Sequence, residues 1–277
     1  MKKLVLLFAI PILVVFFSFR AKPLVWVAIG DSITYLNEHK DETGNRVTSG
    51  YMTRVVEKLP GISYVNQGHN GWTSGGIAKE IENLGITKAD VYSIFLGTND
   101  WWQGRPVGTL TDYKDNTGNN TVYGSFRIII NKLRSLNKAA KIILITPLQR
   151  VDFVYINNYK NNAWGSYKEK NGQTLEQFAN AIKDIAAYEH FDALDLYHEK
   201  EMDLKHLVKF KHLKVPEKPG AYRNYAYPDF IGVPFNPETD EYPYPPEAID
   251  ITYDGLHPSD KGYEIIAGKL VKIMKKY

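Results

Sequence analysis

Residues suited to acyl chemistry stand at four separated points of the chain: Ser32 in Gly30-Asp31-Ser32, Gly71 in the run Asn66 to Thr73, Asn99 in Gly97-Thr98-Asn99-Asp100, and Asp254 three residues before His257. A serine hydroxyl is a weak nucleophile until a base takes its proton, and an imidazole can do so near neutral pH. His257 is the candidate base. Asp254 lies close enough in a turn to hold the ring and stabilise its cation. The tetrahedral oxyanion of such a reaction needs donors. Gly71 can bring its N–H close because it has no side chain, the Asn99 amide can donate from a strand end, and the Ser32 N–H is a third candidate.

Each residue has an ordinary reading in isolation. Ser32 suits a helix cap, Gly71 a left-handed turn and Asn99 a strand end. His257 stands before Pro258, where the backbone is held extended, and Asp254 could simply open that turn. Only the set, taken in order, outweighs those readings. The common rival motifs are missing: there is no Gly-x-Ser-x-Gly, no His-Glu-x-x-His, no P-loop and no Gly-x-Gly-x-x-Gly.

Such a set requires a frame. Short runs rich in branched and aromatic residues, Leu24–Ile29, Ser63–Asn66, Val91–Leu96, Lys141–Ile145 and Phe191–Leu196, read as strands. Between them Phe126, Ile129, Ile130, Leu133 and Leu136, and later Leu175, Phe178, Ala179, Ile182, Ile185 and Ala186, keep helical spacing. A last helix begins after Ser259. Alternation of this kind predicts an α/β fold with a parallel sheet between helices, and ligands of such sheets bind beyond the carboxyl ends of the strands. Three of the four sets fall directly after a strand.

The four blocks, in this order over almost the whole chain, resemble the signatures of the SGNH hydrolase superfamily, the GDSL esterases and lipases. Gly30-Asp31-Ser32 matches the first, with Ile33 where a leucine usually stands. Asn66-x-Gly68-x-x-Gly71-x-Thr73, Gly97-x-Asn99-Asp100 and Asp254-x-x-His257 match the others. The resemblance implies a flavodoxin-like three-layer sandwich of five parallel strands that hydrolyses esters with no metal or other cofactor. It implies Ser32 as nucleophile, His257 as base, Asp254 as its partner, and Ser32, Gly71 and Asn99 as oxyanion donors; Gly68 is an alternative for the glycine role.

Of 277 residues, 44% are apolar and 23% charged, a globular composition, and cysteine is absent, so disulfides and thiolate chemistry are excluded. The formal charge of +3 comes from Lys2, Lys3 and Arg20; without them the 34 basic residues fall to 31 and match the 31 acidic ones. A neutral body lacks the footprint of a nucleic-acid binder. Lys2 and Lys3 precede an apolar run from Leu4 to Phe17, shorter than the ~20 residues of a span. Residues 1–21 therefore read as an export signal or, if uncleaved, a membrane anchor, with 22–277 as the hydrolase domain. The expected location is periplasmic or secreted.

Residues 199–250 depart from the family's shorter pattern: eight of the fourteen prolines lie between Pro216 and Pro246, interleaved with tyrosines. They predict a long irregular insertion before the last helix, not another βα unit. Tyr242 and Tyr244, near its end, are candidates for an acceptor groove. Trp101 and Trp102 are either core packing or a platform for a sugar ring. The expected activity is hydrolysis of acyl esters of carbohydrate, acetyl esters first. A lysophospholipase or thioesterase of the same superfamily, or a carbohydrate-binding protein without turnover, are the alternatives.

Overall fold

The computed structural model describes residues 23–277; the signal or anchor expected over 1–21 lies outside the described residues. In β1 (Leu24–Gly30) Trp26 and Ala28 join one buried apolar cluster while Val27 and Ile29 join another. Side chains alternate across a strand, so β1 is covered on both faces, as a parallel strand must be.

The covering helices arrive by alternation. After β1 come α1 (Ser32–Tyr35), α2 (Tyr51–Lys58), β2 (Ile62–Gly68), α3 (Ser74–Glu80) and β3 (Val91–Phe95). Then follow α4 (Thr98–Trp102), α5 (Leu110–Lys114), α6 (Val122–Leu136) and β4 (Lys141–Ile145). A hairpin of β5 (Phe153–Tyr155) and β6 (Asn158–Ala163) precedes α7 (Leu175–Glu189) and β7 (Asp192–Leu194). A second hairpin, β8 (Lys211–Lys214) with β9 (Tyr222–Tyr225), lies in the proline-rich region before α8 (Asp260–Met274).

The main sheet has five parallel strands in the order β2-β1-β3-β4-β7, as expected. On one face Met52 and Val55 of α2 and Ile266 and Leu270 of α8 pack against Trp26 and Ala28. On the other, Ile77 of α3, Phe126 and Ile130 of α6 and Phe178 and Ile182 of α7 pack against Val27 and Ile29. Side-chain caps delimit the longer helices: Thr121 for α6, Thr174 with Gln177 in a capping box for α7, and Ser259 for α8.

The order reverses between β1 and β3, because the chain leaves β1 for β2 on one side and returns to β3 on the other. That reversal opens a crevice at the carboxyl ends, where Ser32 follows β1 and Asn99 follows β3. The fifth strand is shorter than its apolar run suggested, since only Asp192 to Leu194 pair with β4. The insertion is ordered. Met202, Leu207, Val208, Leu213, Phe230 and Tyr244 from it are buried in the cluster beneath α2 and α8.

Candidate active site

β1 ends at Gly30 because nothing larger fits: a Cβ there would lie 2.0 Å from Thr34 Oγ1. Asp31, not Ser32, caps α1, its Oδ1 accepting the Ile33 N–H at 3.0 Å. Ser32 is thereby the first helical residue and its hydroxyl is left for other partners.

His257 supplies one. Its Nε2 lies 2.8 Å from Ser32 Oγ, and its Nδ1 lies 2.7 Å from Asp254 Oδ2. The second oxygen of the fully buried Asp254 accepts the N–H groups of Leu256 and His257 at 3.0 and 2.8 Å. A carboxylate engaged through both oxygens is held in place, so it fixes the ring in turn. Gly255 sits at φ +90°, where a Cβ would lie 2.2 Å from the Asp152 carbonyl oxygen, so the turn between Asp254 and His257 demands glycine. The imidazole is flanked by Phe153, edge to face at 5.4 Å, and by Tyr253, stacked at 5.9 Å.

The candidate donors come from the neighbouring strand ends. Asn99, on the first turn of α4, directs Nδ2 to the Trp72 carbonyl at 3.0 Å and lies 3.5 Å from Asp31 Oδ2. Gly71, at φ +74°, lines the cavity with Ser32, Asn99 and His257, and its carbonyl accepts from Gln103 Nε2 at 3.0 Å. Gly68 does not line it. That residue ends β2 against the Tyr35 backbone, where a Cβ would lie 2.1 Å from the Tyr35 nitrogen, and so serves a close approach of chains.

Two buried carboxylates stand behind this edge. Asp100 accepts Ser74 N–H at 2.8 Å and Ser74 Oγ–H at 2.7 Å and pairs with Arg105 at 3.2 Å, which ties the start of α3 to α4. Burial raises its carboxyl above the ordinary range. Asp31 is pushed up to about 6, chiefly by burial and further by the Asp100 charge, against the Ile33 N–H and the His257 imidazole. Sequence reasoning left both unassigned, although both belong to the blocks it singled out.

The cavity holds about 340 Å3. Trp102 lines it, as one reading of the sequence expected. Three other expectations are corrected. Trp101 is fully buried, with its Nε1–H donated to the Gln173 carbonyl at 2.9 Å, and is core. Tyr244 is fully buried and donates to the Asp152 carbonyl. Tyr242 donates to the Val154 carbonyl at 3.0 Å and packs on Tyr159 and Arg46. Tyr242 and Tyr244 thus support residues 152–154 and do not line the cavity. His69, in the glycine block, stacks on Trp72 at 4.6 Å and lies outside the cavity wall, its imidazole pulled below the ordinary range by burial.

In their place the wall contains Arg150, Phe153, Tyr155, Asn161 and Ala163, from the end of the β4 loop and the β5–β6 hairpin. None was singled out. The alternation of Phe153 and Tyr155 ahead of Asn157 and Asn158 was the available sign of a hairpin.

A family model described as GDSL-like lipase/acylhydrolase matches residues 28–265. A solved structure described as a possible lipase from Chitinophaga pinensis is 66% identical, with a TM-score of 0.90 over 91% of this chain and 98% of that one. A protein from Lactobacillus plantarum is 19% identical, with a TM-score of 0.59 over 92% and 98% of the two chains. A catalytic mutant of an acetylxylan esterase from Geobacillus stearothermophilus is 20% identical, with a TM-score of 0.50 over 90% and 93%. These last two likenesses concern the fold alone. No curated protein matches the chain.

Proposed function

Since the chain belongs to the GDSL-like lipase/acylhydrolase family and is a carboxylic ester hydrolase, we propose that it is an exported serine esterase that removes small acyl groups, acetyl above all, from carbohydrate. The observation that carries the reading is the unbroken relay Asp254–His257–Ser32, at 2.7 and 2.8 Å, opening onto a cavity lined by Gly71 and Asn99.

In this mechanism Ser32 Oγ attacks the ester carbonyl while His257 Nε2 takes its proton. Asp254 holds the ring and balances the imidazolium. The developing oxyanion is met by the N–H groups of Ser32 and Gly71 and by Asn99 Nδ2. Collapse breaks the ester C–O bond, with His257 returning the proton to the departing alcohol. Water, activated by the same imidazole, then releases the acid from Ser32.

The preference for sugar esters is supported by the lining. Asn70, Asn99, Gln103 and Asn161 offer partners for hydroxyl groups and Trp102 offers an aromatic face. A lysophospholipase or thioesterase would need a long apolar trough, and a binding protein would have no use for the relay. Export rests on Lys2, Lys3 and the apolar run to Phe17. The deciding experiment is fluorophosphonate labelling followed by peptide mass spectrometry. A label on Ser32 is expected; no label, or a label elsewhere, would remove the serine mechanism.

A further inference from the structure

Arg150 is buried in the wall of the cavity, 1% exposed, and its Nε and Nη2 have no hydrogen-bond partner among the described residues. The nearby carboxylates are engaged elsewhere. Asp152 pairs with Lys211 at 2.8 Å, Asp254 with His257, and Glu42, also in the wall, accepts the Tyr35 hydroxyl at 2.8 Å. Asp152 and Asp254 act on the guanidinium through charge alone while its donors stay without acceptors, so an anion entering the cavity would meet an unsatisfied buried cation.

The group is held ready for such a visitor. Its Cζ lies 5.5 and 5.2 Å from the ring centroids of Trp101 and Trp102, contacts that hold the cation without taking up its N–H donors. Trp101 is itself fixed by its bond to Gln173. The Arg150 backbone is pinned by Ser166, which accepts its N–H at 3.1 Å and donates to its carbonyl at 2.8 Å. Burial lowers the guanidinium to about 10, which leaves it cationic at neutral pH. Lys170, whose Nζ lies 4.4 Å from the Trp102 centroid, adds positive charge beside the same ring.

We propose that Arg150 is a carboxylate-recognising residue and that the ester cleaved at Ser32 belongs to a molecule with a carboxylate near the scissile bond. The planar fork of a guanidinium suits two carboxylate oxygens at once. This rests on the esterase reading and narrows its substrate class. The carboxylate comes either from the acyl group or from the alcohol, for instance a hexuronic acid.

Two matched pairs separate those sources: 4-nitrophenyl hydrogen succinate against 4-nitrophenyl butyrate, and an O-acetylated methyl glucuronide against its uronic methyl ester. In one pair kcat/KM of the acid should exceed that of the neutral partner by about 10- to 100-fold after subtraction of spontaneous hydrolysis. Arg150→Met should bring that ratio close to one, and Arg150→Lys should restore part of it. A neutral preference in both pairs would overturn the proposal, as would equal losses on acid and neutral esters in Arg150→Met, which would make Arg150 only a support for Asp254. Should Arg150→Met fail to fold, the wild-type ratios still decide. Turnover of 4-nitrophenyl acetate tests the esterase reading separately. If that is absent, calorimetric titration with succinate and with methyl glucuronide decides: binding of one, lost in Arg150→Met or weakened in Arg150→Lys, supports the proposal, and binding of neither, or binding unchanged in both variants, overturns it.

Discussion

Tyr242 Oη donates to the Val154 carbonyl at 3.0 Å, while the Val154 N–H donates to the Asp254 carbonyl at 3.3 Å. One residue of the β5 strand thus joins the proline-rich insertion to the turn that carries Asp254 and His257. Tyr244 makes the parallel bond to Asp152, whose carbonyl oxygen faces Gly255.

Tyr242→Phe and Tyr244→Phe should each destabilise the protein by about 1–3 kcal/mol, because a buried carbonyl loses its donor. Thermal unfolding checks this. The ratio of sugar-ester to aryl-ester turnover should stay constant; a selective loss on the sugar would return these tyrosines to the substrate side.

Ser32→Ala should abolish turnover of a small aryl acetate with little change in thermal unfolding. His257→Ala should be comparably impaired. Because the two act as a unit, the double variant should be scarcely slower than either single one, as single-turnover rates would show. Additive losses would indicate separate roles.

Asn99→Ala should lower kcat by roughly 10²–10³ with KM nearly constant, since its bond to the oxyanion tightens as charge develops. Steady-state kinetics distinguish this from an effect on KM alone, which would make Asn99 a contact to bound substrate.

Asp31 gives a pH signature in stability. Its carboxyl is raised to about 6 in the fold from an ordinary 3.8, so between those values the native state holds more proton than the unfolded one. Stability therefore falls as pH rises through this window, by up to about 3 kcal/mol from this group. Asp31→Asn keeps an acceptor for the Ile33 N–H and removes the buried charge. Denaturant unfolding should show the variant gaining on the wild type from pH 4 to pH 7; a constant difference would place the titration elsewhere.

The sheet was legible because parallel strands buried on both faces leave nearly continuous apolar runs, as Val91 to Phe95, broken only by Ser93, and Ile142 to Ile145 do, and the helices because their stripes repeat. Ser32, Gly71 and Asn99 could be gathered because strand ends in such a sheet converge, and Asp254 and His257 because their spacing completes the same set of four blocks. The rest of the wall was not readable for a physical reason. Phe153 and Asn161 come from a short hairpin outside the main sheet, and Arg150 is defined by what it lacks, a partner, which no sequence displays. Tyr242 and Tyr244 were misplaced because proximity in sequence to His257 says nothing of which side of the turn a loop approaches.

The bond between Ser32 and His257 spans 225 positions, and α8, just beyond the histidine, reaches back through Tyr263 Oη to the Ile33 carbonyl at 2.9 Å. The two partners of the proposed relay are therefore remote in the sequence and meet only through the fold. An unfolded chain keeps the proposed nucleophile and its proposed base far apart, so the relay exists only once the segment bearing His257 packs beside α1. Turnover of a simple ester would consequently report, in one measurement, that this long-range packing has formed.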